Sequence, residues 1–506
     1  MVARKIANNT LALFVRQVVV AIISLYAVRV LFRELGVTDY GIYSAVAGFV
    51  ALLSFFPASM ASATQRYFSF ALGASNDELL KQTFSTNLLI YSALALVVML
   101  LLEIVGFWFI KNQLSFPEAR MDSVTTLYHF VVFSFVTSLI SSPFIAILIA
   151  HEDMIVYAVI SVVEVMLKLT AAFLLETNTG DLLPVYGILL FLSSLSVSSM
   201  YAFYCIWRYK ECRFLGLNLN WNLAKEIIGF TGWTLFGQFT TVSRNQAVTV
   251  LLNQNFSPAT VAARAIAVTV ASQVSVFSNH LNTGLYPAII KSYAANNKSQ
   301  MFLLVFTGSK LTFFLMWAIS LPLLLQMKEV LSLWLENPPS EAILFTRLAV
   351  VESLVVSISL PLATSARAPG RVRGYELSLG SLQLLIFVLS WWVLWKGFQA
   401  HTVFLIAIAV NIVMFQVRLQ IVSKLIGLSQ SDYYREVIKP AFFVVIISAI
   451  PLLFLVGYSN DSLVGLLLLA GASFCWVSVV ILYLGLDAEL RKQLYQFFKT
   501  KLALLK

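Results

Sequence analysis

Apolar residues along this 506-residue chain gather into fourteen stretches of about 18–28 residues, parted by short polar connections. A helix rising about 1.5 Å per residue needs about 20 apolar residues to cross a bilayer, so each stretch predicts a membrane span. The spans fall at roughly 9–33, 40–64, 84–110, 124–149, 154–176, 182–207, 226–252, 260–287, 300–327, 342–366, 375–396, 402–426, 437–458 and 462–486. No outer connection exceeds about 15 residues, the longest being 328–341, so no soluble domain is expected on that face. The pattern predicts an all-α polytopic membrane protein with about 14 transmembrane helices.

The connection 208–225 is basic, and it divides the chain into six spans and eight. A shift of 220 residues lays Asn9–Leu35 over Gly229–Asn255 and Gly36–Ser54 over Phe256–Val274. In both copies a polar-headed long span meets a very short turn, Leu-Gly-Val-Thr-Asp against Asn-Phe-Ser-Pro-Ala, and a second long span follows. Two six-helix lobes in one orientation make a parallel pseudo-repeat. The N-lobe covers 1–207 and the C-lobe 226–428, with 208–225 as a cytoplasmic linker; 429–486 is an added C-terminal helix pair. The tail 487–506 sets Leu490, Leu494, Phe497, Phe498, Leu502 and Leu505 on one side and its cations largely on the other. It reads as an amphipathic helix on the anionic inner leaflet, or else as a frayed, solvated one.

Charge sets the orientation. With the N-terminus inside, the inner segments hold 21 Lys and Arg and the outer segments five, which follows the positive-inside rule and places both termini in the cytoplasm. The +10 net charge is thereby a matter of topology and needs no nucleic-acid partner. With 59% hydrophobic and 11% charged residues, a soluble globular domain is excluded. Cys205, Cys212 and Cys475 are too few and scattered for a disulfide framework or metal cluster. Met-Val-Ala-Arg-Lys runs straight into a long span, which does not fit a cleaved signal peptide.

Eight cations remain inside spans: Arg16, Arg29, Lys168, Arg244, Arg264, Lys310, Arg347 and Arg418, against the acids Glu103, Glu164 and Glu352. A cation in hydrocarbon costs roughly 2.5–3.5 kcal/mol on insertion scales, so it faces protein or a wet cavity. The excess points to a cavity for something anionic. Span seven repeats Thr234, Gln238, Thr241 and Asn245 at helical spacing beside Arg244; span eight aligns Arg264, Ser272, Ser275, Asn279 and Asn282. These stripes predict cavity lining, with helix–helix hydrogen bonding the alternative for the Ser and Thr positions. Arg16 and Arg29 lie 13 residues apart, well off a common face, and Arg29 has snorkelling to the outer surface as its alternative. Arg66 closes span two at the inner interface, where the positive-inside rule accounts for it.

Glu164 and Lys168, at i and i+4, form either a local ion pair or a coupling site. Glu352 with Arg347 five residues away, and Lys310, offer similar coupling material. His129 and His280 are proton-sensitive or packing residues, and Glu103 has no sequence-near partner. Pro143, Pro322, Pro361 and Pro451 interrupt spans. No catalytic or metal motif is present, so neither an enzyme nor a cofactor or metal site is expected.

The stretch Arg33-Glu-Leu-Gly-Val-Thr-Asp-Tyr-Gly-Ile-Tyr-Ser44, then Ala-Thr-Gln-Arg66-Tyr-Phe-Ser, resembles the opening of Wzx-type polysaccharide-biosynthesis flippases. The matching residues are Leu35, Gly36, Tyr40, Gly41 and Tyr43, followed by Arg66 and Tyr67; Phe-Pro-Ala-Ser-Met-Ala-Ser-Ala stands where small residues or glycine are usual late in span two. The glycines give the turn its freedom. That superfamily also holds the MATE multidrug exporters and the lipid II flippase MurJ. The resemblance implies two lobes in a V alternating about a central cavity, with the last helix pair offering a groove for a lipid tail. It implies as substrate undecaprenyl-pyrophosphate bearing an oligosaccharide, an O-antigen, capsule or exopolysaccharide unit, in the bacterial inner membrane. Candidate binding residues are Arg16, Arg29, Gln238, Thr241, Arg244, Asn245, Arg264, Ser272, Asn279 and Arg347. Partners would be the polyprenyl-pyrophosphate glycan, membrane lipids and glycan polymerase machinery. Alternatives are a cation-coupled multidrug exporter, a lipid II flippase and, from another class, a membrane glycan polymerase or ligase.

Overall fold

A computed structural model describes residues 2–51, 55–113, 116–213, 219–335, 339–455, 463–488 and 491–492. Described residues form helices and connections, with no strand. The helices are α1 (Val2–Ala51), α2 (Phe55–Gly73), α3 (Asp77–Leu101), α4 (Phe107–Gln113), α5 (Met121–Ala150), α6 (Met154–Glu176), α7 (Leu182–Arg208), α8 (Trp221–Asn255), α9 (Pro258–Ala294), α10 (Lys298–Leu325), α11 (Met327–Leu335), α12 (Ala342–Ser357), α13 (Leu360–Arg367), α14 (Arg373–Trp395), α15 (Thr402–Ile426), α16 (Gln430–Tyr433), α17 (Lys439–Leu455) and α18 (Leu463–Val480). Among the described residues, each of the fourteen expected spans falls largely on helix, with span ten broken between Ser357 and Leu360. Among the described residues, ten helices pass as single apolar spans by length and composition, and the bent pair α12–α13 makes an eleventh. The tail's apolar face, from Leu490 to Leu505, lies outside the described residues.

Local chemistry sets the ends. The Asn76 side chain accepts from the Leu79 N–H, with Asp77 and Glu78 in the first turn of α3. Asn297 starts α10 in the same way, accepting from Gln300 N–H. Gly427, at φ 80°, ends α15. Inside α1, Gly36 adopts φ 70° and breaks the helix at the expected turn. Gly41 takes no such conformation, so only one of the two motif glycines serves the turn. The turn between α8 and α9, with Ser257 before Pro258, lies where the 220-residue shift places it.

Contacts divide the chain into two compact units, Lys5–Leu235 and the residues from Phe236 onward, so the division falls within α8, not in the basic linker. The first unit is built on an apolar core that includes Phe68, Phe84, Phe144 and Tyr201. It holds the start of α8 through Arg66, whose guanidinium lies 4.6, 5.3 and 5.5 Å from the rings of Tyr67, Phe70 and Phe230. Arg66 also sits 4.0 Å from Glu226. Its role is thus packing as well as topology.

After α7, the His151 ring stacks on Tyr209 at 4.1 Å, and His151 Nε2 lies 2.6 Å from Glu211. Burial pushes the Glu211 carboxyl up, but the His151 hydrogen bond and the loop's own N–H outweigh it and hold the group below its ordinary range. A carboxyl lowered on folding adds stability that is complete above about pH 4.3, the unfolded value, and is lost as pH falls through the folded one. Acid unfolding of Glu211→Gln should therefore lack that component; identical acid limbs for variant and wild type would count against it.

In the second unit, α9, α10, α12 and α15 pack together. The added pair α17–α18 lies on α10, where Trp317 Nε1 donates to Ser448 Oγ at 2.9 Å and Gly485 meets the Phe314 ring. Span ten is bent by 41° between α12 and α13. Of the four prolines, Pro143, Pro322 and Pro451 lie inside helices, while Pro361 occupies the first turn of α13. The carbonyls at the break are taken by side chains from three other helices: Ser357 O by Thr312, Ile358 O by Tyr433 and Ser359 O by Arg418. A helix can break in a membrane only where such partners exist.

Candidate functional site

The bend of span ten borders a cavity of about 310 Å³ that lies wholly within the unit from Phe236 onward. Its polar lining comes from α8 (Thr241, Arg244, Asn245), α9 (Arg264, Ser272, Ser275, Ser278, Asn279), α12 (Glu352, Ser353, Ser357), α14 (Gln383) and α15 (Asn411). Helical spacing on α8 and α9 turns each stripe to the same side, which is why residues 19 or more positions apart in sequence meet here.

Asn245 joins the two arginines. Arg244 donates to the Asn245 side-chain oxygen at 2.9 Å, and Arg264 donates to the Asn245 carbonyl at 3.0 Å. Arg244 also pairs with Glu352 at 2.9 Å, and the same Glu352 oxygen accepts from Asn411 at 3.0 Å. Arg264 is 6% exposed and forms no ion pair among the described residues; its Nε–H has no acceptor, and the Phe404 ring lies 5.9 Å away. Two guanidiniums face one carboxylate, so the cavity is electropositive. Hydroxyl and amide groups ring it.

Six of the ten expected binding residues (Thr241, Arg244, Asn245, Arg264, Ser272 and Asn279) line this one cavity. Gln238 is exposed and outside the lining: it shares the face of Asn245 but lies seven residues, about 10 Å, further along the helix. Arg347 is also exposed; its Nε–H donates at 3.1 Å to Leu324 O, a carbonyl of the last turn of α10 that has no helical partner. Glu352 therefore pairs with Arg244, not with Arg347. Five steps along α12 separate Glu352 from Arg347 by about 140°, which turns them apart. Arg16 and Arg29 belong to the first unit, where Arg16 stacks over Tyr157 at 4.7 Å and Arg29 is exposed.

The other expected coupling residues lie elsewhere. Glu164 and Lys168 form their i, i+4 pair at 2.6 Å on α6, and Lys310 pairs with Asp487 at 2.8 Å. Glu103 finds His129 at 2.8 Å, a partner invisible at a distance of 26 residues. Sequence reading also missed Asn411, Gln383 and Ser353, single polar residues in apolar spans without periodicity to mark them.

Outside the cavity lining, Glu376 on α14 is buried against Arg367 at 3.5 Å and faces Gly237 on α8. A Cβ at 237 would come 2.1 Å from Glu376 Oε2. Gly237→Ala should therefore push Glu376 off its partner and cost about 1–3 kcal/mol, the usual range for overpacking. Thermal unfolding in detergent checks it, and an unchanged midpoint would show that α8 can yield.

No protein-family model and no curated protein sequence matches this chain. Solved structures do. An outward-facing multidrug resistance MATE family transporter of the MOP superfamily superposes with TM-score 0.69 at 12% identity, over 84% of this chain and 95% of that one. A MATE in the straight conformation gives 0.71 at 13%, over 84% and 96%. A variant of the Vibrio cholerae MATE transporter VcmN gives 0.64 at 16%, over 86% and 98%. The shared property is a fold. This chain has the MATE-type fold, and the likeness covers nearly the whole of each of those proteins.

Proposed function

We propose that the protein is a flippase for polyprenyl-pyrophosphate-linked oligosaccharide in the bacterial inner membrane, working by alternating access. The observation that carries this reading is the electropositive cavity: Arg244 and Arg264 against Glu352, ringed by hydroxyl and amide side chains. Guanidinium N–H groups suit phosphate oxygens; Ser, Thr, Asn and Gln suit sugar hydroxyls. Arg264 in particular is a buried cation whose structural benefit is small, since it has no acid partner. The opening motif, Leu35 to Tyr43 with Arg66 and Tyr67, agrees with this substrate class. Both termini would lie in the cytoplasm.

The matched structures include one described as a multidrug resistance transporter, which favours export of small molecules as a second reading. Cationic drugs need an excess of acid in the cavity, and here the balance is reversed. In a deletion strain, polyprenyl-pyrophosphate oligosaccharides should accumulate on the inner leaflet while surface glycan disappears. Unchanged lipids with intact glycan, in a strain lacking any second flippase, would move the assignment to small-molecule export. Broad cationic drug resistance on overexpression would point the same way.

A further inference from the structure

Glu352 holds the guanidinium that an anionic substrate needs. Its Oε1 accepts from Arg244 at 2.9 Å and from Asn411 at 3.0 Å, while Oε2 makes no hydrogen bond among the described residues. Asn411 is itself fixed, donating also to Ala407 O at 2.8 Å. Arg244, in turn, divides its terminal nitrogens between Glu352 and Asn245. The cavity thus contains one arginine already matched to a carboxylate and one, Arg264, matched to none.

We infer that Glu352 is a built-in competitor for Arg244, displaced when a phosphate-class anion binds and taking up one proton as it leaves. The inference rests on the anion-transport reading above. In the exchange, the Arg244 N–H donated to Oε1 passes to a phosphate oxygen, and a solvent proton adds to Oε2; no covalent bond of the anion changes. Asn411 keeps its bond to Oε1, so the released acid stays held. The proton follows from charge and solvation. A carboxylate without its guanidinium, beside a phosphate charge in a cavity enclosed by membrane helices, is favoured in its neutral form. The charged groups facing Glu352 in the lining are Arg244 from α8 and Arg264 from α9; α14 and α15 present the neutral Gln383 and Asn411, and α10 contributes none. Anion binding and proton uptake thereby become one event, and anion affinity rises as pH falls.

The test is calorimetry of the purified full chain with inorganic pyrophosphate, in buffers of different ionisation enthalpy, for wild type and Glu352→Gln. The ligand's own protons cancel in the comparison. The wild type should take up about one more proton per pyrophosphate than the variant, and the variant should bind about tenfold or more tighter because its competitor carries no charge. Equal proton counts in the two proteins overturn the inference and leave the anion site standing. Absence of pyrophosphate binding in both overturns the anion reading itself. If Glu352→Gln is lost from the membrane, sulfate replaces pyrophosphate with wild type alone, since its charge is constant between about pH 5.5 and 8 and any pH dependence then belongs to the protein. Affinity that rises toward low pH supports the exchange; a flat profile overturns it.

Discussion

Arg264→Met should abolish export of surface glycan while the protein remains folded in the membrane at wild-type levels or above. The two halves of this expectation have separate causes. Arg264 is buried, lacks an acid partner and leaves its Nε–H without an acceptor, so an unbranched apolar side chain of similar length removes an insertion cost of roughly 2.5–3.5 kcal/mol and little structure. If it instead binds a phosphate, two charge-assisted hydrogen bonds at about 1.5–3 kcal/mol each are lost, which corresponds to roughly a hundredfold or more in affinity. Arg264→Lys should retain part of the activity, because a point charge remains but the planar fork is gone. Wild-type glycan in Arg264→Met would remove Arg264 from the site. Loss of the protein together with the glycan would make it a structural residue.

Arg244 differs in kind. Its removal leaves the partly buried Glu352 with Asn411 alone, so Arg244→Ala mixes a binding defect with the cost of an unpaired carboxylate. The contrast shows why Arg264 is the cleaner probe of function. Both arginines lie one residue or nineteen from Asn245, and neither role could be read without seeing which acid reached which base.

Much of this was legible in the chain. Spans five and twelve, expected at 154–176 and 402–426, coincide with α6 and α15, because long apolar runs bounded by polar connections leave little freedom in where a helix can end. The stripes on α8 and α9 were legible because several polar residues share one helical face, which an apolar span would not do by chance. Single polar residues were not: Asn411 and Gln383 carry no period. Pairings at long range are hidden for the same reason: nearness in sequence points Glu352 to Arg347, while its partner Arg244 stands 108 residues away. Span ten reads as one stretch from 342 to 366 with Pro361 interrupting it. Yet Pro143 and Pro322 sit in continuous helices, and what makes the break at 357–360 tolerable is the supply of donors from Thr312, Tyr433 and Arg418 on other helices.

Asp487→Leu should destabilise the attachment of the C-terminal helix pair, and Lys310→Met in the same chain should restore it. Lys310 is 2% exposed on α10, and its ammonium meets Asp487, just beyond the last turn that follows α18, at 2.8 Å. Removing a buried cation's partner costs about 3–5 kcal/mol when the pair is fully enclosed. The Asp487 side chain is 62% exposed, so water reaches that end and the expected loss is nearer 1–3 kcal/mol. With Met at 310 there is no charge left to satisfy, and the remaining contacts on α10, Trp317 to Ser448 and Phe314 against Gly485, should hold the pair as firmly as before. Thermal unfolding of the single and double variants in detergent measures this order directly. Equal midpoints for Asp487→Leu and wild type would show that Lys310 finds another partner. Transport separates this clip from a coupling role: a lysine that only fastens α18 to α10 leaves the double variant active, whereas a lysine that carries charge through the cycle leaves it stable and silent.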